Sequence, residues 1–418
     1  MRLLFADAFS PDYRDAVTNL GYECTFLPDL SAADLAGHVA GHDVLIVRST
    51  RVTATTIAAA EELALVIRAG AGTNTIDLAA AAERGIYVCN VPGRNAIAVA
   101  ELAMGLICAL DRQIPDNVGD LRAGRWDKKR YSKAAGLFGR VVGVVGLGEI
   151  GLAFAERASA FGLRVHAIGR KGRSADTEAR AERAGITYVG DLDELAATCD
   201  ILSFHVPASD ATRGMVDRAF LDQVRPGTWI INTSRANIVD EAALLEALDA
   251  KDLRAGLDVF DNEPGSATGA FESPLAQHPR VYGTHHIGAS TEQAQRAIAA
   301  EVVAMLEAFE RGEIRNCVNI DAQAIGSATL VIRHLDQVGV LSDVLEVLRQ
   351  HDLNVEQMQN QIFAGRRAAV ATIHTSGAVP NDLADRLNAI ERVIHARVQP
   401  TTDTPSADVT STQRSDHP

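Results

Sequence analysis

Short apolar runs alternate with alanine-rich helical segments over most of this sequence. Before residue 92 the runs are RLLFA, DVLIVRS, LALVIRAG and IYVCN, and between residues 140 and 288 they are RVVGVVG, LRVHAIG, DILSFHVP, TWIINTS, AGLDVF and VYGTHH. Such alternation is typical of parallel strands joined by helices. A parallel sheet needs helices on both faces, so the pattern predicts an α/β fold with two doubly wound domains.

The pattern changes after about residue 325. The segments ATLVIRH, VLSDVLEVLRQH, LNVEQMQNQI, RAAVATIHT, NDLADRLNAI and ERVIHARVQ follow one another there. They predict the order βαββαβ, which is typical of a ferredoxin-like module. Residues 401–418 lack apolar periodicity and are expected to be a disordered tail.

Composition excludes several classes of protein. A net charge of -14 argues against a nucleic-acid or anionic-membrane partner, because phosphate contacts need clustered cations. The five cysteines lack CxxC spacing, so neither a disulfide scaffold nor a metal site is expected. The longest apolar stretch, residues 96–110, contains Glu101 and is shorter than a membrane span of about 20 residues. The expected location is the cytoplasm.

A strand, a glycine-rich turn and a helix follow one another at residues 140–161. The sequence GLGEIG has GxGxxG spacing directly after RVVGVV, and a helical pattern continues it. Its glycines permit a tight turn, close approach of a pyrophosphate and packing of the helix on the strand. The unit predicts dinucleotide binding, the alternative being a turn without a ligand. The residues concerned are Gly146, Gly148, Glu149, Ile150 and Gly151.

The acidic residue that usually binds the ribose of NAD is missing. Such a residue is expected at the end of the second strand, but Gly169 stands there, followed by Arg170 and Lys171. Cations at this place suit the 2′-phosphate of NADP. The expected cofactor is therefore NAD(H) or NADP(H), with NADP(H) favoured. A solvated basic loop in an NAD-binding protein is the alternative.

Three late residues fit the reduction of a 2-keto acid. Arg235 follows TWIINTS at the end of a predicted strand, where its planar guanidinium can hold a carboxylate. A histidine in GTHHIGAS is a candidate proton donor, and Glu263 in DNEP can stabilise its protonated form. Neighbouring side chains of an extended segment face opposite ways, so only one of His285 and His286 can enter the site. Spacing does not choose between them.

Seven segments in one order resemble the D-2-hydroxyacid dehydrogenase family. They are AGTNTIDLAAAAERGIYVCNVPG, GVVGLGEIG, SFHVP, INTSRANIVDE, GLDVF, NEP and HIGAST. The resemblance covers residues 1 to about 400 and is strongest to the phosphoglycerate dehydrogenases of serine biosynthesis that carry a C-terminal ACT module. It implies hydride transfer between a nicotinamide cofactor and a small anionic D-2-hydroxy acid, foremost 3-phosphoglycerate and 3-phosphohydroxypyruvate.

The same resemblance implies roles for individual residues. Arg235 would bind the substrate carboxylate, His286 would be the acid/base with Glu263 tuning its pKa, and His285 would be a bystander. Arg48 would meet a substrate phosphate. The backbone that receives the carboxylate would be Ala71, Gly72 and Thr73. The residues lining the cofactor would be His205, Val206, Pro207, Thr233, Ser234 and Asp258.

The resemblance also implies a domain organisation. A substrate-binding domain would comprise residues 1–94 and 283–320, a dinucleotide-binding domain residues 95–282, and an ACT-like regulatory domain residues 326–400. Trp126 and Lys128 resemble a segment near a subunit contact. A homo-oligomer, dimer or tetramer, is therefore expected.

Departures from the family pattern keep alternatives open. The stretch GRKGR resembles NADP-linked glyoxylate and hydroxypyruvate reductases, so a 2-keto acid reductase is the alternative function. In the ACT-like module His334 and Asn354 match effector-binding positions, but Asp336 replaces an Asn and would repel an amino-acid effector's carboxylate. A more remote alternative is a cofactor-sensing, corepressor-like binding protein, which would not use the three catalytic residues.

Overall fold

The structure is a computed structural model that describes residues 1–9, 11–170, 172–264, 268–320 and 326–400, without the side chains of Asp12 and Pro400. Lys171 and the tail after residue 400, for which the sequence makes predictions, lie outside this part. The chain divides into two compact units, Met1–Ile320 and Asp321–Pro418.

The first unit begins with a five-stranded parallel sheet. Its elements are β1 (Arg2–Phe5), α1 (Pro11–Asn19), β2 (Glu23–Phe26), α2 (Ala32–His38), β3 (Val44–Val47), α3 (Ala54–Ala59), β4 (Leu65–Arg68), α4 (Leu78–Glu83) and β5 (Tyr87–Asn90). The strand order is β2-β1-β3-β4-β5, the flavodoxin-like arrangement. All four residues of the central strand β3 are buried, as a sheet covered by helices on both faces requires.

A seven-stranded parallel sheet follows. Its elements are α5 (Ala96–Arg112), α6 (Ile114–Arg122), β6 (Val141–Val145), α7 (Glu149–Ala160), β7 (Arg164–Ile168), α8 (Ala175–Arg183), β8 (Thr187–Val189), α9 (Leu192–Thr198), β9 (Ile201–Phe204), α10 (Arg218–Gln223), β10 (Trp229–Asn232), a 3-10 turn (Ala236–Ile238), α11 (Glu241–Ala250), β11 (Arg254–Leu257), α12 (Pro274–Gln277) and β12 (Val281–Gly283). The order is β12-β11-β10-β9-β6-β7-β8. The strand order reverses between β6 and β9, because β7 and β8 lie on one side of β6 and β9 lies on the other. Open α/β sheets bind ligands at such a point.

The long helix α13 (Glu292–Glu310) returns to the first sheet. Its buried residues Ile298, Val302 and Leu306 share one core with Leu3 and Phe5 of β1. The first sheet is therefore completed by residues that lie far along the chain.

The second unit has the order βαββαβ that the sequence predicts. Its elements are β13 (Ala328–Leu335), α14 (Val340–Gln350), β14 (Asn354–Ile362), β15 (Ala368–Ser376), α15 (Leu383–Asn388) and β16 (Val393–Pro400). The strands form an antiparallel sheet in the order β14-β15-β13-β16. Along β13 buried and less buried residues alternate, which places one face of the sheet against the helices. The predicted fold class is confirmed.

Two strands are absent from the sequence prediction. They are β2 and β8, which lie at sheet edges and are short. Neither contains a fully buried residue, so neither produces the continuous apolar run that marks an interior strand. No helix in the described part of the chain is long and apolar enough to cross a membrane.

Replacing Leu306 by Ala tests the place of α13 in the first core. The side chain is fully buried, so its truncation is expected to cost about 2 to 5 kcal/mol through lost contacts and a cavity. The midpoint temperature for thermal unfolding of the first unit should fall by about 5 °C or more. Glu307→Ala, at an exposed position of the same helix, is the matched control and should leave the transition unchanged. Equal melting curves for both variants would contradict this packing.

Candidate active site

The glycine loop lies after β6, at the point where the strand order of the second sheet reverses. Gly146 has φ +99°, and a Cβ there would lie 2.6 Å from the His205 carbonyl oxygen. A Cβ on Gly151 would lie 1.9 Å from the Gly146 oxygen, whereas one on Gly148 would meet nothing within 4 Å. Packing thus requires the outer two glycines, while the middle one leaves open space at the N-terminus of α7, where a pyrophosphate would bind.

Two buried polar atoms beside this loop have no partner in the described chain. They are Nδ1 of His205 and Oγ1 of Thr233. The other ring nitrogen of His205 lies 2.9 Å from Ser203 Oγ, and burial lowers the pKa of His205 to about 3, so the ring is neutral. Buried polar atoms are normally paired, so this wall fits a ligand with polar groups of its own. The residues present fit a nicotinamide dinucleotide.

Other predicted cofactor residues lie around the same space. Val206 packs against Gly146, and Pro207 beside it is exposed. Ser234 is fixed by Asn232, whose Oδ1 accepts hydrogen bonds from the Ser234 backbone and hydroxyl at 3.0 and 2.8 Å.

Arg235 reaches from the second sheet to the first. Its Nη1 donates to the Ser234 carbonyl at 2.7 Å, and a Cβ on Gly72 would lie 2.3 Å from Nη2. A side chain at position 72 would therefore displace the end of this guanidinium from the loop that follows β4. Burial lowers the pKa of Arg235, an effect that the charge of Glu263 opposes.

The loop after β4 has free backbone N–H donors beside this guanidinium. The N–H groups of Ala71, Gly72 and Thr73 donate to no acceptor in the described chain. Asn90 holds the loop by donating from Nδ2 to the Ala71 carbonyl at 2.6 Å. Free N–H groups next to a guanidinium are a suitable receptor for a carboxylate.

The structure pairs His286, and not His285, with Glu263. Nδ1 of His286 lies 2.7 Å from Glu263 Oε2, while Oε1 accepts the Phe260 N–H at 2.9 Å. Burial alone would raise the pKa of Glu263. These hydrogen bonds and the charges of His286 and Arg235 together lower it by more, so the net shift is downward. The exposed His285 makes no hydrogen bond to the described residues. The paired Nδ1 leaves Nε2 of His286 for a substrate.

Asp258 determines the backbone that carries His286. Its carboxylate is buried and accepts hydrogen bonds from Thr284 Oγ1 at 2.6 Å and from the N–H groups of Ile287 and Gly288 at 2.8 Å each. Its carbonyl accepts the His286 N–H at 2.8 Å. His286 has φ +51°, a conformation that costs a non-glycine residue energy and needs such support. The carboxylate that the sequence assigns to the cofactor wall thus holds this loop.

Arg48 follows β3, and Arg68 ends the neighbouring strand β4. Val47 and Arg68 are register partners, so both arginines lie at the same edge. Burial, followed by the charges of Arg235 and Arg48, lowers the pKa of Arg68 to about 10. Asp7 binds the backbone N–H groups of residues 48–50 and makes no ion pair with the Arg48 side chain. Sequence reasoning missed Arg68, because no local pattern distinguishes it from other arginines at strand ends.

The loop after β7 differs from a simple basic patch. Arg173 donates to the Ile168 carbonyl at 2.8 Å and lies over the Tyr188 ring. The exposed Arg170 side chain has no hydrogen bond or ion pair in the described chain. A Cβ on Gly169 would meet only ordinary contacts at 3.7 and 3.8 Å. Glu149, at the start of α7, pairs with Arg180 at 2.8 Å, and Ile150 beside it is partly buried.

The three predicted effector residues do not form one site within the second unit. His334 lies near the end of β13, and Asn354 begins β14, which runs parallel to β13 with β15 between them. The register places these residues near opposite ends of the sheet, about 20 Å apart. Both ring nitrogens of His334 have partners, Leu335 O and Asn360 Oδ1. The partly buried Asp336 donates its N–H to the Arg367 carbonyl.

Comparisons with known proteins agree with this geometry. Residues 104–288 match the family model described as D-isomer specific 2-hydroxyacid dehydrogenase, NAD binding domain. The D-3-phosphoglycerate dehydrogenase of Methanocaldococcus jannaschii is 38% identical over 378 residues, 89% of this chain and 69% of that protein. The chain belongs to the D-2-hydroxyacid dehydrogenase family. It is a nicotinamide-dependent oxidoreductase of small 2-hydroxy acids.

Two further relatives show the range of this dehydrogenase family. The hydroxypyruvate reductase of Thermotoga maritima is 41% identical over 263 residues, 62% of this chain and 82% of that protein. The crystal structure of a glyoxylate reductase from Paecilomyes thermophila aligns with a TM-score of 0.66 at 27% identity, covering 76% of this chain and 98% of that one.

Replacing Glu263 by Gln should slow keto acid reduction by this dehydrogenase. In keto acid reduction His286 must carry the proton that it donates, and the Glu263 carboxylate favours that charged form. The amide keeps the shape and loses the charge. We expect kcat/KM for reduction to fall about 10- to 100-fold. Glu272→Gln, at an exposed position nearby, is the control. An unchanged kcat/KM for Glu263→Gln would separate this carboxylate from the proton transfer.

Proposed function

We propose that the chain interconverts 3-phosphoglycerate and 3-phosphohydroxypyruvate. The observation that carries this proposal is the group of three arginines, Arg48, Arg68 and Arg235. None of them makes a salt bridge with any described residue, although the chain is acidic overall. A substrate with a carboxylate and a phosphate supplies an anion for each side of this group. The phosphoglycerate dehydrogenase from Methanocaldococcus jannaschii, 38% identical, supports the assignment.

The chain's own residues supply binding and proton transfer. Arg235 and the N–H groups of residues 71–73 hold the carboxylate and place the keto oxygen near Nε2 of His286. When bound, the nicotinamide cofactor supplies the hydride in reduction and accepts it in oxidation. His286 protonates the oxygen as negative charge develops on it, and Glu263 stabilises the imidazolium before that transfer. In oxidation the same nitrogen accepts the hydroxyl proton.

The substrate phosphate would lie between Arg48 and Arg68. Two guanidinium groups on adjacent strands can each donate two hydrogen bonds to a phosphate. Without an anion, burial and then the charges of Arg235 and Arg48 oppose the charge of Arg68, as its lowered pKa indicates. A dianionic phosphate removes that repulsion, so binding energy is concentrated at this end of the substrate.

A general 2-keto acid reductase is the second candidate. The 41% identity to a hydroxypyruvate reductase and the lack of an acidic residue after β7 favour it. The two candidates differ only in what Arg48 and Arg68 bind. A corepressor-like binding protein has less support, because His286 and Glu263 form a hydrogen-bonded pair that binding alone does not need.

Replacing Arg48 by Ala distinguishes the two enzyme candidates. We expect kcat/KM for 3-phosphohydroxypyruvate to fall about 100-fold, the value of a charged hydrogen-bonded contact, while kcat/KM for hydroxypyruvate changes less than about 3-fold. Arg51→Ala, an exposed position three residues on, is the matched control. Equal losses with both substrates, or a wild-type enzyme that prefers hydroxypyruvate, would overturn the phosphate assignment.

We further propose that the cofactor is NADP(H). The exposed Arg170, whose side chain has no partner in the described chain, supports a contact with the 2′-phosphate. Lys171 belongs to the same proposal and lies outside the described residues.

Replacing Gly169 by Asp should reverse that preference. The new side chain fits because only ordinary contacts surround this position, and its carboxylate would bind the ribose hydroxyls and repel the 2′-phosphate. The ratio of kcat/KM for NADPH to that for NADH should fall about 100-fold. Arg170→Ala should lower the NADPH value alone by about 10-fold, and Arg183→Ala, exposed on α8, should change neither. A wild-type enzyme that strongly prefers NADH would refute the proposal.

We also propose assembly into a homo-oligomer through the segment that follows α6. Trp126 and Phe138 in the segment after α6 are 81% and 89% exposed, which is costly for large apolar side chains in water. A cytoplasmic location and an amino-acid effector for the second unit stay predictions.

A further inference from the structure

Two cysteines distant in sequence lie opposite each other at the edge of the first sheet. Cys89 is in β5, and Cys317 is in the segment that follows α13. The two residues form an isolated antiparallel bridge, and Cys317 packs against the cluster that contains Cys89. Both are free thiols.

The hydrogen bonds around the bridge define its geometry. The Val318 N–H donates to the Val88 carbonyl at 2.8 Å, and the Asn90 N–H donates to the Asn316 carbonyl at 3.2 Å. Cys89 and Cys317 are therefore a non-hydrogen-bonded pair of an antiparallel ladder, in which Cα atoms are about 4.5 Å apart and side chains lie on one face. Disulfides bridge Cα separations of about 4.4 to 6.8 Å. The backbone already has the separation that a disulfide needs.

Asn319 holds the second segment in this register. Its Oδ1 accepts the Val88 N–H at 2.8 Å, and its Nδ2 donates to the Ile86 carbonyl at 2.8 Å. The Cys317 thiol also points to this amide, with Sγ 3.3 Å from Oδ1. A side chain that clamps β5 two residues from Cys317 limits how far the two sulfurs can separate.

We propose that Cys89 and Cys317 are a modification site at which hydrogen peroxide oxidises the two thiols to an intramolecular disulfide. Cys317 is partly exposed and reacts first: its sulfur attacks the peroxide, the O–O bond breaks, and a sulfenic acid and one water form. The Cys89 thiol then attacks that sulfur, the S–O bond breaks, and the proton of the thiol leaves with the hydroxide as a second water. Two thiols are oxidised by two electrons, and one peroxide is reduced to two waters.

The environment of the pair determines this order of events. Cys89 is 1% exposed, so peroxide reaches Cys317 more readily. Burial, together with the neighbouring thiol of Cys317, raises the pKa of Cys89 to about 12, which disfavours Cys89 as the first nucleophile. The other three cysteines, Cys24, Cys108 and Cys199, have no bridge to a second cysteine in the described chain.

The disulfide would fasten the end of the first unit to its own sheet. Cys317 lies just before the boundary at Ile320, and the bond would close a loop from β5 through the whole second sheet and α13. A cross-link across so long a loop restricts the unfolded chain strongly. Oxidation should therefore stabilise the first unit against thermal unfolding.

The test is oxidation of the full chain with hydrogen peroxide, followed by thiol blocking and non-reducing peptide mapping. We expect two of the five thiols to be lost and a cross-linked peptide pair to join residues 89 and 317. A band at the mass of the monomer on a non-reducing gel would show that the disulfide lies within one chain. The first thermal transition should rise by several degrees and return after dithiothreitol. None of these readouts depends on which substrate the enzyme uses.

Matched variants keep the test decisive. Cys317→Ser, at the more exposed position, and Cys89→Ala should each abolish the cross-link and the rise in melting temperature, whereas Cys108→Ser should keep both. If peroxide leaves Cys317 as a sulfenic or sulfinic acid beside a free Cys89 thiol, or joins two chains through Cys317, the proposal is overturned.

Discussion

Three guanidinium groups meet at the carboxyl edges of two sheets without a carboxylate ion pair to balance them. In a chain of net charge -14 such a group is not a consequence of composition. Arg48 and Arg68 come from the first sheet and Arg235 from the second, so an anion placed among them contacts both. Gly72 permits this by leaving room for the Arg235 guanidinium. The charges of Arg235 and Arg48 oppose the charge of Arg68, so an anion bound among the three groups would relieve that repulsion.

The two loops that carry Arg48 and His286 are each fixed by a carboxylate from the end of a neighbouring strand. Asp7, which follows β1, accepts the N–H groups of residues 48–50 after β3. Asp258, which follows β11, accepts those of Ile287 and Gly288 after β12. In each case a carboxylate on one strand end fixes the loop of a neighbouring strand through its backbone. The side chains of Arg48 and His286 are left free of that carboxylate and available to a substrate.

Much of this architecture could be predicted from the sequence because it depends on local patterns. Apolar periodicity predicts the interior strands, and the glycine spacing predicts the loop after β6. The edge strands β2 and β8 were missed because residues that are only half-buried do not need to be apolar. Arg68 was missed for a different reason. Its importance comes from Arg48 and Arg235, which reach it only through the tertiary fold, and a lone arginine at a strand end has no distinguishing local pattern.

The choice between two adjacent histidines also required the fold. An extended strand would place them on opposite faces, but which face met Glu263 depended on where β12 ended and on the left-handed turn at His286. Asp258 imposes that turn from another strand.

The number of basic residues after β7 likewise does not equal the number of cations that are available to a ligand. Three cations follow Gly169 in the sequence, yet Arg173 is committed to the Ile168 carbonyl and the Tyr188 ring. A guanidinium held against its own loop, with a side chain only 13% exposed, is less available to a 2′-phosphate than an exposed one. The phosphate selectivity that a run of basic residues suggests therefore depends on those whose donors the fold leaves free, and Arg170 is such a residue.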